Sequence, residues 1–329
     1  MTSFTIVGAG GIGTAVGVLL GATGHGVTLV AHTAQDAAEI AANGANVVGC
    51  VEASARPTAV AGSVDVGPDD VLVLAVKAHQ TAEALLATTG TPRAAMSLQN
   101  GIEKEQPLID RFGPARVLPS VVQVTATLQE PGRTRCASIA TSAISSLHPS
   151  AETIAAEVAS ALTTSGMNTL TVRDATAVEW AKAAQWIPSS LLTAATGMAL
   201  DAVLRDAGLA ELYVAIAREC AEVAQAHEIR IAEFPELYAS EIVEGTVADA
   251  VETLIALGER MSASELAGYR TAMELDLARG RAPELEPTAG AVLRAALAAD
   301  IACPALETAH AIVRGRAGVA STRERAVCA

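Results

Sequence analysis

At 329 residues the chain is longer than one hydrophobic core usually serves, so two domains are expected. Hydrophobic residues make up 51% but aromatics only 2%, so packing must rest on small aliphatic side chains and close helix approaches. A formal charge of -14 repels phosphate backbones and anionic lipid, which excludes nucleic acid and membrane surfaces as natural partners.

Residues 4–7 form a short apolar strand that runs straight into Gly8-Ala9-Gly10-Gly11-Ile12-Gly13 and then into an apolar helix over residues 12–22. Gly24-His25-Gly26 turns the chain into a second strand, 27–31, so the glycines lie inside a βαβ unit of the expected length. Gly8, Gly10 and Gly13 fit G-x-G-x-x-G: the first allows a tight turn, the second admits a pyrophosphate against bare backbone, and the third lets helix and strand pack closely. The pyrophosphate would sit at the helix N-terminus, over the Gly11 and Ile12 amides. The uncharged run 4–24 has the length of a membrane span, but its glycines and its βαβ continuation fit a folded nucleotide-binding unit. The first Lys or Arg is Arg56, so the basic region of a secretory leader is not seen and a cytoplasmic protein is expected.

Further along, residues 35–42 read as a helix, 45–51 as a third strand and 57–65 as an irregular passage. Residues 71–76 are continuously apolar, the mark of a parallel strand covered on both faces, and end at Lys77. Another apolar strand, 94–98, ends at Gln99-Asn100-Gly101, so two strands carry polar groups to their carboxyl ends, the edge where open α/β sheets take ligands. Between 117 and 142 Thr and Val alternate around Pro131-Gly132, which suggests antiparallel strands added to the sheet. A helix over 151–164 and a strand over 169–172 finish a Rossmann-type doubly wound domain, residues 1–173. Beyond Asp174 Ala, Leu and Glu recur at helical spacing through 175–197, 209–227, 236–258, 264–280, 287–299 and 304–314. An all-helical domain for substrate or dimerisation, 174–329, is expected, and a homodimer is left open.

Cys50, Cys136, Cys220, Cys303 and Cys328 lie far apart with no C-x-x-C, so buried free thiols are expected rather than disulfides or zinc. The histidines show no metal spacing, and no metal is expected. Lysine is scarce: Lys77, Lys104 and Lys182 stand against nineteen arginines. A lysine whose pKa is lowered beside a ligand can act as a general acid, whereas arginine cannot release its proton near neutrality. Lys104, in Glu103-Lys104-Glu105, reads as a solvated surface residue. Lys182 shares a helix face with Trp186 and Ser190, four and eight residues on. By itself it reads as an exposed lysine beside core tryptophans, and Glu284, in a proline-bounded segment before a helix, as a solvated carboxylate.

Taken together and in order, these pieces resemble the ketopantoate reductase family over nearly the whole chain. The glycine loop, the Gly-His turn into 26–30, Val76-Lys77-Ala78-His79-Gln80-Thr81, Gln99-Asn100-Gly101, Trp180-Ala181-Lys182 and residues 273–290 all find counterparts there. The resemblance implies that Lys182 is the catalytic lysine, that Glu284 is the catalytic-site glutamate holding a polar group of the substrate, and that Lys77 and Asn100 orient the nicotinamide ribose and the substrate. The family carries asparagines where this chain has Trp186 and Ser190, and a serine for the substrate carboxylate where it has Ala272. The cofactor half is thus kept and the substrate half altered. An asparagine exchanged for tryptophan replaces a donor–acceptor pair by an apolar plane, so affinity for a small hydroxylated keto acid should fall.

Cofactor choice turns on the end of the second strand, where NAD-specific folds place an acid and this chain has Val30-Ala31-His32-Thr33. His32 takes the place of the family's arginine for a 2′-phosphate, with Thr33 and Gln35 as further donors, and NADPH is expected. The expected activity is NADPH-dependent reduction of a 2-oxo acid or related carbonyl, the substrate not necessarily ketopantoate. Two alternatives stand beside it: an imine reductase or opine-type dehydrogenase on the same fold, and an NADP(H)-binding sensor without turnover.

Overall fold

The computed structural model describes residues 1–327. Its chain falls into two compact units, Met1–Thr176 and Ala177–Ala329. In chain order the first unit contains β1 (Ser3–Val7), α1 (Gly11–Ala22), β2 (Gly26–Ala31), α2 (Ala34–Asn43), β3 (Ala45–Gly49), β4 (Ala53–Ala55), β5 (Thr58–Ala61), β6 (Val64–Val66) and β7 (Asp70–Leu74). It continues with α3 (Thr81–Ala87), β8 (Thr88–Gly90), β9 (Ala94–Ser97), α4 (Gln106–Phe112), β10 (Ser120–Val121), β11 (Val124–Glu130), β12 (Arg133–Ile139), β13 (Ser142–Ile144), α5 (Glu152–Thr164) and β14 (Thr169–Thr171).

A parallel sheet in the order β5-β2-β1-β7-β9 forms the centre of this unit. Its middle strands are apolar and buried, as strands covered on both faces must be. The chain leaves β1 toward β2 and later returns to β1's other side as β7, so the carboxyl ends of β1 and β7 form the switch point of the sheet.

A second sheet, β11-β12-β3-β4, corrects two expectations. The alternating segment does fold into an antiparallel hairpin, β11 and β12, but it joins β3 and β4 rather than extending the parallel sheet. The parallel sheet takes as its outer strand β5, which falls in the passage expected to be irregular; Pro57, just before it, lacks the N–H an inner strand would need, and an edge tolerates that. Helix α1 is enclosed between the two sheets: β-carbons added at Gly17 and Gly21 would meet Leu29 at 2.8 Å and Ala55 at 2.9 Å. That enclosure accounts for a helix apolar on all its faces.

The second unit holds α6 (Ala175–Thr196, entering from the end of the first), α7 (Leu200–Arg205), α8 (Ala207–Ala226), α9 (Ala239–Val243), α10 (Val247–Ser262), α11 (Ala272–Ala278), α12 (Ala289–Ala298) and α13 (Pro304–Val327). The helix expected over 236–258 is broken, because Gly245 takes φ 74° and Thr246 then caps α10 by accepting from the Asp249 amide. Likewise the helix expected over 264–280 starts late. Gly268 takes φ 73°, and Thr271 caps α11 through the Glu274 amide. Among the described residues an isolated bridge, Phe234 with Leu237, is the extent of extended pairing here. No described helix is long and apolar enough to cross a membrane.

Candidate functional site

At the end of β1, Gly8 takes φ 112°, and a β-carbon there would press on the Ala75 carbonyl carbon at 2.7 Å. Gly13, one turn into α1, lies against the carbonyl oxygen of Gly8 and the β-carbon of Ala75. Gly10 differs from both, with nothing within 4 Å of where its β-carbon would stand. It occupies the N-cap of α1, so no capping side chain covers the first amides of the helix, which begin at Gly11 and Ile12. Bare backbone, open space and a helix N-terminus fit a pyrophosphate. Behind Gly11 the hairpin closes in: a β-carbon would fall 2.5 Å from the Ala126 oxygen, and Thr134 Oγ1 donates to the Gly11 carbonyl at 3.2 Å.

His32 is exposed where β2 ends. Thr33 caps α2, accepting from the Asp36 amide at 3.0 Å, and Gln35 donates to Glu39 Oε1 at 3.1 Å. Lys77 is half-buried past the end of β7, its amide donating to Gln80 Oε1 at 3.3 Å. Asn100, also half-buried, follows β9.

Between them lies a residue whose role the sequence did not disclose. Gln99 is buried, and its Nε2 donates to the Val76 carbonyl at 2.9 Å and to Thr81 Oγ1 at 2.8 Å, while its Oε1 accepts from Ser97 Oγ at 3.0 Å. It therefore fixes the segments bearing Lys77 and Asn100 to one another. The clue was the polar Gln99-Asn100 pair at the end of an apolar strand, read for Asn100 alone.

Lys104 overturns its expectation. Its side chain is 3% exposed, with Nζ 3.1 Å from Glu105 Oε1, which also accepts from the Ser120 amide at 3.4 Å. An adjacent carboxylate makes burial of the lysine tolerable, so a charged run here is not a solvated face.

In the second unit, Lys182 is 9% exposed on α6, against the reading of an exposed lysine. Trp180 is buried ahead of it, Trp186 half-buried one turn on, and Ser190 fully buried two turns on. Ser190 Oγ is a buried polar atom with no hydrogen-bond partner in the structure. Pro188 interrupts the backbone ladder between these residues. Nearby, the Gln185 carbonyl accepts from Ser189 Oγ at 2.9 Å and from the Tyr213 hydroxyl, which anchors the interrupted stretch to α8. Ala272 opens α11 and is exposed, and the preceding Thr271 shares a 2.7 Å hydrogen bond with Thr193, which holds α11 against α6. Glu284 is half-buried between α11 and α12, its carbonyl accepting from Thr288 Oγ1.

Of the cysteines, Cys136, Cys220 and Cys303 are buried free thiols, whereas Cys50 is exposed, which corrects the expectation for it; Cys328 lies outside the described residues. No described group of His, Cys, Asp and Glu could hold a metal ion.

A glycine loop at the switch point of a parallel sheet, followed by a helical unit with a buried lysine, defines a two-domain oxidoreductase of the dinucleotide-binding class. Residues 4–148 match the family model for ketopantoate reductase PanE/ApbA and residues 174–317 that for its C-terminal domain. The chain belongs to the ketopantoate reductase PanE/ApbA family, whose members are NAD(P)H-dependent oxidoreductases. It is 26% identical over 314 residues to a 2-dehydropantoate 2-reductase of Halobacterium salinarum, covering 94% of this chain and 97% of that one. Among solved structures, D-mandelate dehydrogenase with NADH and anilino(oxo)acetate superposes with a TM-score of 0.81 at 21% identity, covering 97% and 99% of the two chains. The PanE/ApbA family ketopantoate reductase from Ralstonia eutropha gives 0.78 at 23%, with the same coverage.

Proposed function

We propose that this protein is an NADPH-dependent reductase of 2-oxo acids that carry an apolar group on the carbonyl carbon. The observation that carries the reading is on α6, where a nine-tenths buried lysine shares a helix face with a half-buried tryptophan in place of the family's asparagine. Bound NADPH supplies the hydride delivered to the carbonyl carbon. Lys182 donates the proton to the carbonyl oxygen, and Glu284 holds a polar group of the substrate. Trp186 offers an apolar plane to the substrate side chain, and Ser190 Oγ, with no partner in the structure, is free to accept or donate one hydrogen bond. Ala272 leaves the substrate carboxylate without the family's serine, so an unlike contact must hold that group.

For the cofactor, Gly8, Gly10, Gly11, Ile12 and Gly13 supply the pyrophosphate cradle, and His32 with the N-terminus of α2 takes the 2′-phosphate. Lys77 and Asn100 orient the nicotinamide ribose and the substrate, with Gln99 bracing both. NADH is the competing cofactor, since it appears in the D-mandelate dehydrogenase structures.

The test is NADPH and NADH oxidation with a panel of aliphatic and aryl 2-oxo acids, ketopantoate, and cyclic and N-alkyl imines. The reading predicts turnover of 2-oxo acids with bulky apolar substituents above that of ketopantoate. Turnover of imines alone would install the imine reductase reading, and NADPH binding without turnover of any of them the sensor reading.

A further inference from the structure

Gly49 ends β3, and its register partner on β12 is Cys136. The chains run so close there that a β-carbon on Gly49 would overlap the Cys136 carbonyl oxygen. One residue on, the Cys50 amide donates to that same oxygen at 2.9 Å. In a regular strand successive side chains point to opposite faces, so Cys50 should point away from Cys136. Gly49 has φ 117°, outside the strand range, so the alternation breaks there and the Cys50 thiol is near enough to Cys136 to act on it electrostatically, while the Cys136 thiol donates to the Ser138 carbonyl at 3.6 Å. Residues one step apart on neighbouring strands stand about 6 Å apart between α-carbons, a separation that a disulfide bridges. Cys50 is exposed and Cys136 has no exposed surface, so an oxidant in solution reaches one thiol of the pair only.

We propose that Cys50 and Cys136 are a thiol–disulfide couple, a modification site at which Cys50 reacts first and Cys136 resolves. The oxidant is a small-molecule disulfide such as oxidised glutathione. Cys50, deprotonated, attacks one glutathione sulfur; the glutathione disulfide breaks and the first glutathione leaves as a thiolate that takes up a proton. Cys136 then attacks the Cys50 sulfur, the mixed disulfide breaks, and the second glutathione leaves with the Cys136 proton. The protein loses two protons and two electrons, and one glutathione disulfide becomes two thiols. Burial and the neighbouring Cys50 thiol push Cys136 up to about 12, which assigns the first attack to Cys50.

The couple lies beside the glycine loop. Cys136 pairs across the hairpin with Ala126, whose carbonyl backs Gly11. The inference uses no residue of the proposed reaction and stands apart from it.

The experiment equilibrates the reduced full chain in buffers of oxidised and reduced glutathione and reads intact mass and non-reduced peptide maps. The expected result is a Cys50–Cys136 linked peptide, two hydrogens lighter, that dithiothreitol reverses. Cys136→Ala should trap glutathione on Cys50, and Cys50→Ser should leave Cys136 unmodified. A wild-type chain that stops at a glutathione adduct on Cys50, or whose two thiols both stay reduced, overturns the proposal. Both outcomes are read on wild type and so do not depend on either variant folding.

Discussion

Gly13 faces the carbonyl oxygen of Gly8 so closely that no side chain fits between them, whereas Gly10, between the two in sequence, looks into open space. Glycines of one motif therefore have separable duties. Gly13→Ala is expected to destabilise the fold by roughly 1–3 kcal/mol, as overpacking does. Gly10→Val should leave the thermal midpoint nearly unchanged and abolish NADPH binding. Differential scanning calorimetry beside a fluorescence titration of NADPH reads both, and wild-type affinity in Gly10→Val would remove the pyrophosphate assignment.

Lys182→Ala should lower turnover by about 10²- to 10⁴-fold with NADPH affinity retained, the range general acid catalysis supplies. Arginine in its place should not restore activity, because it keeps the charge without a transferable proton. Steady-state kinetics on the preferred 2-oxo acid decide the matter: wild-type turnover in the alanine variant would take the proton donor away from Lys182.

Trp186→Asn combined with Ser190→Asn should move preference toward ketopantoate and away from aryl 2-oxo acids. The gain should stay partial while Ala272 supplies no hydroxyl. The ratio of kcat/KM for the two substrates is the measurement, and an unchanged ratio would mean that this face of α6 does not contact the substrate.

His32 is exposed at the end of β2, so His32→Arg can be accommodated without repacking. A permanent bidentate cation should tighten NADPH several-fold and leave NADH unaltered. A wild type that already favours NADH would refute the 2′-phosphate reading.

Burial raises the pKa of Tyr213 and Cys220, Cys303 to about 11 and Cys136 to about 12. These are acids whose folded pKa exceeds the unfolded one, so the unfolded chain sheds their protons first. Their contribution to stability is complete below the unfolded values, roughly 8.5 for thiols and 10 for tyrosine, and is lost as pH climbs beyond them. Urea unfolding should show little change between about pH 7 and 8 and a steep decline above about pH 9. A profile that stays level through the alkaline range would contradict the burial of these groups.

The sequence carried the central sheet well, because continuous apolar strands ending in Gly8, Lys77 and Asn100 have few other uses in an α/β protein. It misplaced β5 and the hairpin, since period and propensity tell where a strand is but not which sheet receives it. The over-long helices failed at Gly245 and Gly268, where a positive φ outweighed helical spacing on either side. Lys104 was misread because exposure was inferred from its charged neighbours, one of which is the carboxylate that lets it be buried. The buried lysine, the tryptophan and the serine of α6 were visible as a face, while Pro188 and the Tyr213 hydroxyl that secure that stretch could be recognised only in three dimensions.

Because Lys104 and Lys182 are both buried, Lys77 is the most open lysine side chain in the described fold. Amine-directed reagents such as succinimidyl esters should therefore modify Lys77 ahead of the other two, at the carboxyl edge of the parallel sheet. On the proposed placement of Lys77 beside the cofactor, a single acylation there is expected to report nucleotide occupancy by mass, with protection by NADPH or NADH as its signal. The same scarcity makes lysine-coupled immobilisation a poor choice, since it would tether the protein through the edge on which it is proposed to hold its cofactor.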